Sequence, residues 1–388
     1  MKLVSSILLV VGLSYKLVNA YSNCYGCQVV TEEDGYKWGV ENNDWCIING
    51  NCDKNDANNK CFGFPEYPCC KGCNVVEEDA SGKWGIENNY WCAIKDSCGG
   101  GNNGGSNNNT PPKSNYKYDP AIKFKEAPGN YLQRCQQAGK IVKENYNGIN
   151  GGNTLNVYLP YGYDKNKQYN IFYLMHGGGE NENTIFSNDV NLHNILDNMI
   201  MKGELEPLIV VTPNFNKCDA RTFYKELRES VIPFVEGKYS TYAKSTSPAD
   251  IKASRMHRAF GGFSMGSAST WAVLINCLDI VAYYMPLSGD NWEANGGYAK
   301  AKSVADAIDK SGLQKNQYFI FCATGSEDIA YNNMNPQIDE MKKMSQFVYT
   351  SDFSKGNFYY LVAQGKTHWW GYVRHYIYDA LPSFFHEG

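Results

Sequence analysis

The sequence predicts an α/β domain built on a mostly parallel central sheet, preceded by two small disulfide-rich modules. Three observations predict it. Ten of the 14 cysteines lie between Cys24 and Cys98. A tract of Gly, Asn, Ser and Pro over residues 99–115 follows. Beyond it, short β-rich apolar runs alternate with longer helical stretches, the pattern of strands buried on both faces by helices.

Taken in chain order, residues 1–20 read as a secretory signal. Lys2 supplies the positive start, Leu3 to Leu13 the short apolar run, and Val18-Asn19-Ala20 the cleavage-site residues. That run is too short to span a bilayer, so the expectation is a secreted, soluble chain. Net charge is −4 with no basic block, which points away from nucleic acid and from an anionic membrane surface. Asn108-Asn109-Thr110 is a possible glycan acceptor.

The cysteine-rich part is an internal repeat. Cys24, Cys27, Cys46 and Cys52 stand 46 positions before Cys70, Cys73, Cys92 and Cys98, and Trp38, Glu41, Asn42 and Trp45 stand likewise before Trp84, Glu87, Asn88 and Trp91. The copies occupy residues 21–55 and 60–98, the second carrying Cys61 and Cys69 in addition. Export to an oxidising compartment favours a disulfide framework over zinc, although Cys24-x-x-Cys27 and Cys70-x-x-Cys73 have ligand-like spacing. Spacing leaves the pairing open. A unit of this size cannot bury two tryptophans, so one ring per copy should serve as a small core and the other face outward.

Residues 99–115 form a flexible linker, stiffened at Pro111-Pro112, and residues 116–388 the large domain. Its strands are "LNVYLP", "NIFYLMH", "LIVVTP", "HRAFGGFS", "YYMPLSG", "YFIFCATG" and "FYYLVAQG". Helices are expected at Val190 to Lys202, Phe223 to Lys238, Ala268 to Asn276 and Ala299 to Lys310, with an amphipathic one near the C-terminus. Functional residues in such sheets gather at the carboxyl ends of strands.

"GGFSMGS" sits there, with "HRAF" as incoming strand and "SASTWAVLIN" as outgoing helix. Strand, Gly-x-Ser-x-Gly, helix is the nucleophile elbow of the α/β-hydrolase fold, which lifts the serine hydroxyl above the sheet. Ser264 is therefore the candidate nucleophile, and the Met265 N–H, at a helix N-terminus, a candidate oxyanion donor. A serine needs a base, and the base an orienting acid, in the chain order Ser, acid, His. Of six histidines, His368, His375 and His386 follow Ser264. His368, just past "FYYLVAQG", is the expected base. His375 falls inside the last helix and His386 at the terminus. Asp328, just past "YFIFCATG", is the expected acid, with Asp290 next and Glu327 adjacent. The second oxyanion donor is expected from His176-Gly177-Gly178-Gly179, with Gly178 chosen ahead of Gly177 and Gly179. No Lys-Ser/Thr pair follows that loop, which excludes a phosphate-binding reading. His176 is expected to brace it. Acyl transfer to water through a serine ester follows, with no metal or organic cofactor.

Trp292, Trp369, Trp370 and Tyr331 crowd the same strand ends, and Trp292 is the best placed to stack on a planar acyl group.

Two resemblances sharpen this reading. "KWGVENNDWC" and its copy resemble the fungal-type dockerin, related to family 10 carbohydrate-binding modules, which tethers plant-cell-wall enzymes to a scaffolding protein. The resemblance implies a scaffold-binding face at Tyr67, Asp79 and Trp84 of the second copy. In the first copy Trp38 matches, Glu33 stands at the Asp position, and nothing equivalent to Tyr67 precedes Cys24.

From about Tyr118 onward, "YNIFYLMHGGGENENTIFSNDVNL", "ASRMHRAFGGFSMGS", "YMPLSGDNW", "ATGSEDIAYNNMNPQID" and "THWWGYVRHYIYDALPSFFHE" resemble carbohydrate esterase family 1, and within it the feruloyl esterase domains of cellulosomal xylanases. That implies Ser264, Asp328 and His368 as triad, Trp292 beside the feruloyl group, feruloylated arabinoxylan as substrate, and delivery to a cellulosome-like complex. Acetyl xylan esterase and a non-catalytic carbohydrate-binding protein are the alternatives. Ser267, where relatives usually carry a second glycine, is a departure that should alter packing beside the elbow.

Overall fold

The structure, a computed structural model, describes residues 29–33, 36–41, 44–48, 61, 69–70, 75–78, 82–87, 90–94 and 116–387. The expected signal segment, the linker, the glycan acceptor, Tyr67 and Asp79 lie outside the described residues. The chain divides into two compact units, Met1–Thr110 and Pro111–Gly388.

In the first unit each copy of the repeat forms a three-stranded antiparallel sheet. Thr31–Glu33, Tyr36–Glu41 and Asp44–Ile48 make the first; Glu77–Glu78, Lys83–Glu87 and Tyr90–Ala93 make the second. Disulfides join Cys61 to Cys69 and Cys70 to Cys92, and Cys46 is also disulfide-bonded. Cys70, Cys92 and Ile94 form a small buried cluster. Thus the staple replaces most of a hydrophobic core. Trp38 and Trp84 occupy equivalent central-strand positions and are half-buried, whereas Trp45 is 45% exposed.

The second unit carries eight strands: β1 Lys140–Gly148, β2 Gly151–Leu159, β3 Asn170–Met175, β4 Leu208–Thr212, β5 Arg258–Phe263, β6 Tyr283–Leu287, β7 Phe319–Gly325 and β8 Phe358–Ala363. Their order in the sheet is β8-β7-β6-β5-β3-β4-β2-β1. The six strands from β3 to β8 are parallel; β2 pairs antiparallel with both β4 and β1. Helices α1 Leu192–Met201, α2 Phe223–Glu226, α3 Ile232–Lys238, α4 Pro248–Ala253, α5 Met265–Cys277, α6 Gly297–Ser311, α7 Tyr331–Met341 and α8 Trp370–Ala380 accompany it. Alternation along the strands feeds two separate cores. Ile171, Tyr173 and Met175 of β3 pack with Phe223, Ile232 and Trp271 on one face, while Phe172 and Leu174 pack with Leu192, Ile195 and Val373 on the other. This is an α/β-hydrolase domain.

Every strand expected in the large domain is present, and strand β1, helix α7 and the short helix α4 were not expected. Strand β1 reads as polar loop, yet the register Asn145↔Thr154 holds it against β2, and Glu144 and Tyr146 point inward. Tyr239 and Lys238 donate hydrogen bonds to the Glu144 carboxylate, which lets a charged residue be buried. Helix α7 contains Pro336 and three asparagines, a composition with little intrinsic helicity. Burial of Met334, Gln337, Ile338 and Met341 overrides it. The stretch expected as one helix from Phe223 to Lys238 is broken by a π-turn at Leu227–Val231.

At the foot of β5, Arg258 and Glu236 form an ion pair with both side chains 1% exposed. The guanidinium also donates to Ile251 O, Ile280 O and Ser254 Oγ, and the carboxylate also accepts from Tyr173 and Thr241. Every charge is compensated, so deleting one partner leaves the other buried and unpaired. Arg258→Met should destabilise the domain by about 3–5 kcal/mol. The urea midpoint followed by tryptophan fluorescence checks this; a change below about 1 kcal/mol would refute it.

Candidate active site

The residues at the carboxyl ends of β3, β5, β6, β7 and β8 converge. Ser264 follows β5 with φ 57° and ψ −115°, a conformation a non-glycine residue adopts only when its surroundings impose it. What imposes it is crowding. A Cβ on Gly262 would lie 2.4 Å from Gly266 O, and one on Gly266 2.6 Å from the carbonyls of Met175 and His176. The chain can therefore turn from strand into α5 only with glycine at both positions. Ser264 N–H donates to Leu287 O at 3.0 Å, pinning the turn to β6.

Above the sheet, Ser264 Oγ lies 2.9 Å from His368 Nε2, and His368 Nδ1 lies 2.7 Å from Asp328 Oδ1. The carboxylate can only accept, so Nδ1 carries the proton and Nε2 is left to receive the serine hydroxyl. Asp328 Oδ1 also accepts from the Ala330 N–H at 2.8 Å. Burial raises the Asp328 pKa, but hydrogen bonding by His368, Ser288 and the Ala330 N–H outweighs it and holds the carboxyl below its ordinary value. Among the described residues Oδ2 has no partner at full hydrogen-bond geometry, and the Ser288 hydroxyl, on a residue at φ 49°, acts on the carboxylate.

The other candidates stand elsewhere. Asp290 is ion-paired with Lys300, and Glu327 is exposed. His375 is buried and accepts the Ala127 N–H at 2.9 Å; His386 stacks on Tyr116. Burial pushes the His375 pKa down to about 4. His176 is buried, packs on Phe215, and donates from Nδ1 to Gly177 O. It sits within the glycine loop, and the serine hydroxyl pairs with His368 instead.

In that loop, the Gly177 N–H donates to Glu180 Oε2 at 2.7 Å and is thereby engaged. Gly178 is exposed and abuts the elbow: a Cβ there would lie 2.5 Å from Met265 Sδ. Gly179 has φ 75°. The loop after β6 also touches the serine, since a Cβ on Gly289 would lie 2.7 Å from Ser264 O. Three residues on, Trp292 is 43% exposed, next to an Asn291 fixed by hydrogen bonds to Gln337, Lys300, Ser303 and Glu293. The ring is thus presented to solvent on a rigid base. Trp369 is 54% exposed, whereas Trp370 is buried against Phe263. Ser267 Oγ donates to Gly289 O at 2.8 Å, tying α5 to this loop.

Sequence reading missed Glu180. Its carboxylate accepts both the Gly177 N–H and the Trp370 Nε1–H, at 2.9–3.0 Å for the latter, so it couples the glycine loop to the segment that carries His368. An acid directly after "HGGG" was the available signal, but its partner lies 190 positions away. We expect Glu180→Ala to lower kcat by about 10- to 100-fold, since misplacing a catalytic group by about 1 Å costs that much. Glu180→Gln, which can still accept both bonds, should recover most of it. Steady-state kinetics on a soluble aryl ester checks both; equal losses in the two variants would rule out positioning through these bonds.

Comparison with known proteins places the domain among esterases. A family described as putative esterase matches residues 147–384, and one described as cellulose or protein binding domain matches residues 14–48 and 60–94. The chain is 69% identical over 278 residues to endo-1,4-beta-xylanase Y of Acetivibrio thermocellus, covering 71% of this chain and 26% of that protein. It is 34% identical over 154 residues to an endo-1,4-beta-xylanase/feruloyl esterase of Xylanibacter ruminicola, covering 36% and 20% respectively. The chain therefore spans about a quarter or less of the length of these relatives. Among solved structures, a serine-to-alanine mutant of the feruloyl esterase module from Clostridium thermocellum, complexed with sinapinate, matches at 70% identity and TM-score 0.70. That match covers 70% of this chain and 97% of the module. A CE1 ferulic acid esterase from Anaeromyces mucronatus shares the fold at 18% identity and TM-score 0.52, covering 69% of this chain and 99% of that one.

Proposed function

The chain belongs to the putative esterase family, and from that premise we propose that it is a secreted serine esterase acting on feruloyl and related hydroxycinnamoyl esters of plant-cell-wall arabinoxylan. The observation that carries this is the Ser264–His368–Asp328 relay on a strained elbow. It sits in a domain 70% identical to a feruloyl esterase module complexed with sinapinate. Sinapinate is a hydroxycinnamate, and the exposed Trp292 ring offers a planar acyl group a stacking surface worth about 1 kcal/mol.

In the reaction, Ser264 Oγ attacks the ester carbonyl as His368 Nε2 takes its proton. Asp328 holds the resulting imidazolium. The N–H groups of Met265 and Gly178 receive the oxyanion. The C–O bond to the sugar then breaks, and the arabinose hydroxyl leaves with the proton from His368. Water, deprotonated by His368, attacks the acyl-serine; the bond to Ser264 Oγ breaks, the proton returns from His368 to that oxygen, and ferulic acid is released. No step calls for a metal or organic cofactor.

The two repeats, which match a cellulose or protein binding domain, would tether this activity to a scaffolding protein of a cellulosome-like complex outside the cell. Trp38 and Trp84 are the described members of the face that would bind it, with Tyr67 and Asp79 completing it in the second copy.

The test is ferulate release from methyl ferulate and feruloylated arabinoxylan, beside acetate release from acetylated xylan. Ferulate release is the expected result. Acetate release alone would keep the serine chemistry and overturn the substrate. Release of neither product would overturn the reading.

A further inference from the structure

A cavity of about 620 Å³ opens on the same rim of the sheet as Ser264, lined by Asn145, Tyr146, Asn147, Asn153, Asn216 and Phe234 among others. The topology explains its place. Strand β2 runs antiparallel to β4, so its start and the end of β1 overhang the segment that leaves the carboxyl end of β4. The sheet order β5-β3-β4-β2-β1 puts two to four strand spacings between β5, which leads into Ser264, and the elements that line the cavity, roughly 10–20 Å.

Its chemistry is selective. No carboxylate or arginine lines it, and the one cation, Lys217, already donates to Gly152 O. The floor is rigid: Asn153 Nδ2 donates to Tyr146 Oη and Asn214 O, its Oδ1 accepts the Thr154 N–H, and Asn214 donates to Glu182. Asn145 and Asn147 also line it, are exposed, and make no side-chain hydrogen bond among the described residues. An amide presents donors and acceptors side by side, which matches a hydroxyl that is both. Tyr146 and Phe234, with ring centroids 5.7 Å apart, add an apolar wall. Free amides, one apolar wall and no carboxylate suit a hydroxyl-rich ligand better than a cationic one, and the Lys217 ammonium, held by the Gly152 carbonyl, adds a donor for a sugar oxygen.

We propose that this cavity is a distal sugar subsite. It holds unesterified pentose units of the polysaccharide while the ester carried by a neighbouring unit reaches Ser264. The identity of the sugar rests on the function proposed above; the cavity's preference for hydroxyl-rich ligands does not. Such a subsite favours polymeric substrates over small aryl esters. The cavity also connects to the glycine loop, because Asn216 Nδ2 donates to Glu180 O beside it.

Gly152 lines the cavity, has ordinary backbone geometry, and a Cβ added there meets nothing within 4 Å. Gly152→Trp therefore fills the space without disturbing the strand. In the full chain, Gly152→Trp should leave kcat/KM for methyl ferulate unchanged and raise KM for feruloylated arabinoxylo-oligosaccharides about tenfold. Calorimetric titration of the Ser264→Ala chain with unesterified arabinoxylo-oligosaccharides should show binding that Gly152→Trp weakens by a similar factor. The double variant Asn145→Ala/Asn147→Ala, confined to exposed side chains, should act in the same direction. Unchanged oligosaccharide KM and unchanged titration in both variants would overturn the subsite, as would an equal loss on methyl ferulate. If the wild type fails to cleave any feruloyl ester, the proposed function falls while the titration still decides the subsite.

Discussion

Ser264→Ala should release ferulate about 10⁶-fold more slowly than the parent chain, with substrate affinity within a few-fold of it. The size follows from the relay acting as a unit: without the hydroxyl, His368 and Asp328 have nothing to activate, and losing the nucleophile costs about as much as losing all three. Among the described residues the hydroxyl hydrogen-bonds His368 Nε2 alone, so its removal breaks one hydrogen bond of an otherwise intact site. Alanine has a Cβ like serine and inherits the same φ of 57°, so the elbow's strain is unchanged and the fold is retained. The donors proposed for the oxyanion remain, and a residue of catalysis, about 10³–10⁴ over water, survives. Single-turnover ferulate release by liquid chromatography, with calorimetry for binding, checks both halves. Activity above about one hundredth of the parent value would remove Ser264 from the reaction.

Asp328→Asn carries the second largest expected effect, a loss in kcat of roughly 10⁴-fold. Asparagine keeps the shape, but its NH₂ facing Nδ1 would stabilise the tautomer with the proton on Nε2, which cannot accept from Ser264. Burial makes this worse, since Asp328 is 4% exposed and no water can replace the lost acceptor. The stability consequence has a definite sign. Burial raises the carboxyl pKa, but the bonds from His368, Ser288 and Ala330 lower it further, and the net folded value lies below the ordinary one. The ionised form is therefore favoured on folding. Its contribution is present above the ordinary carboxylate range, around pH 4, and is lost as pH falls through the lower folded value. Asp328→Asn should abolish this part of the acid sensitivity while leaving stability near neutral pH reduced. Denaturant midpoints at pH 7 and pH 3, alongside kcat at pH 7, test the pair of statements. A variant with more than about a tenth of parent kcat would contradict the orienting role.

The extent to which the site was legible in the residues depended on how local each signal was. The elbow is a five-residue pattern whose glycines answer to contacts within the same turn and the adjacent strand end, so "GGFSMGS" announces it. His368 and Asp328 each follow a strand by a few residues, and a parallel sheet brings such positions to one rim whatever the intervening helices do. Asp290 looked nearly as good by that rule. Only the fold disclosed that α6 brings Lys300 to it and neutralises it. Sequence put Gly178 only narrowly ahead of Gly177 and Gly179; the bond to Glu180, which engages the Gly177 N–H, is a tertiary fact.

Strand β1 and helix α7 escaped because their own residues argue against them. Glu144 is tolerable inside only because Lys238 and Tyr239, nearly a hundred positions on, meet it there. The residues of α7 are held helical by the face they bury. By itself, the sequence determined the two-part organisation, the alternation of strands and helices, the nucleophile turn and the order of the three candidate groups, because hydrophobic period, glycine requirements and strand-end position are properties of neighbouring residues. Tertiary structure alone decided which acid is free to orient His368, which glycine N–H is engaged, that Glu180 links the loop to Trp370, and that the β1–β2 hairpin encloses a cavity. Each of those depends on a partner brought from far along the chain, and no local pattern encodes which partner will arrive.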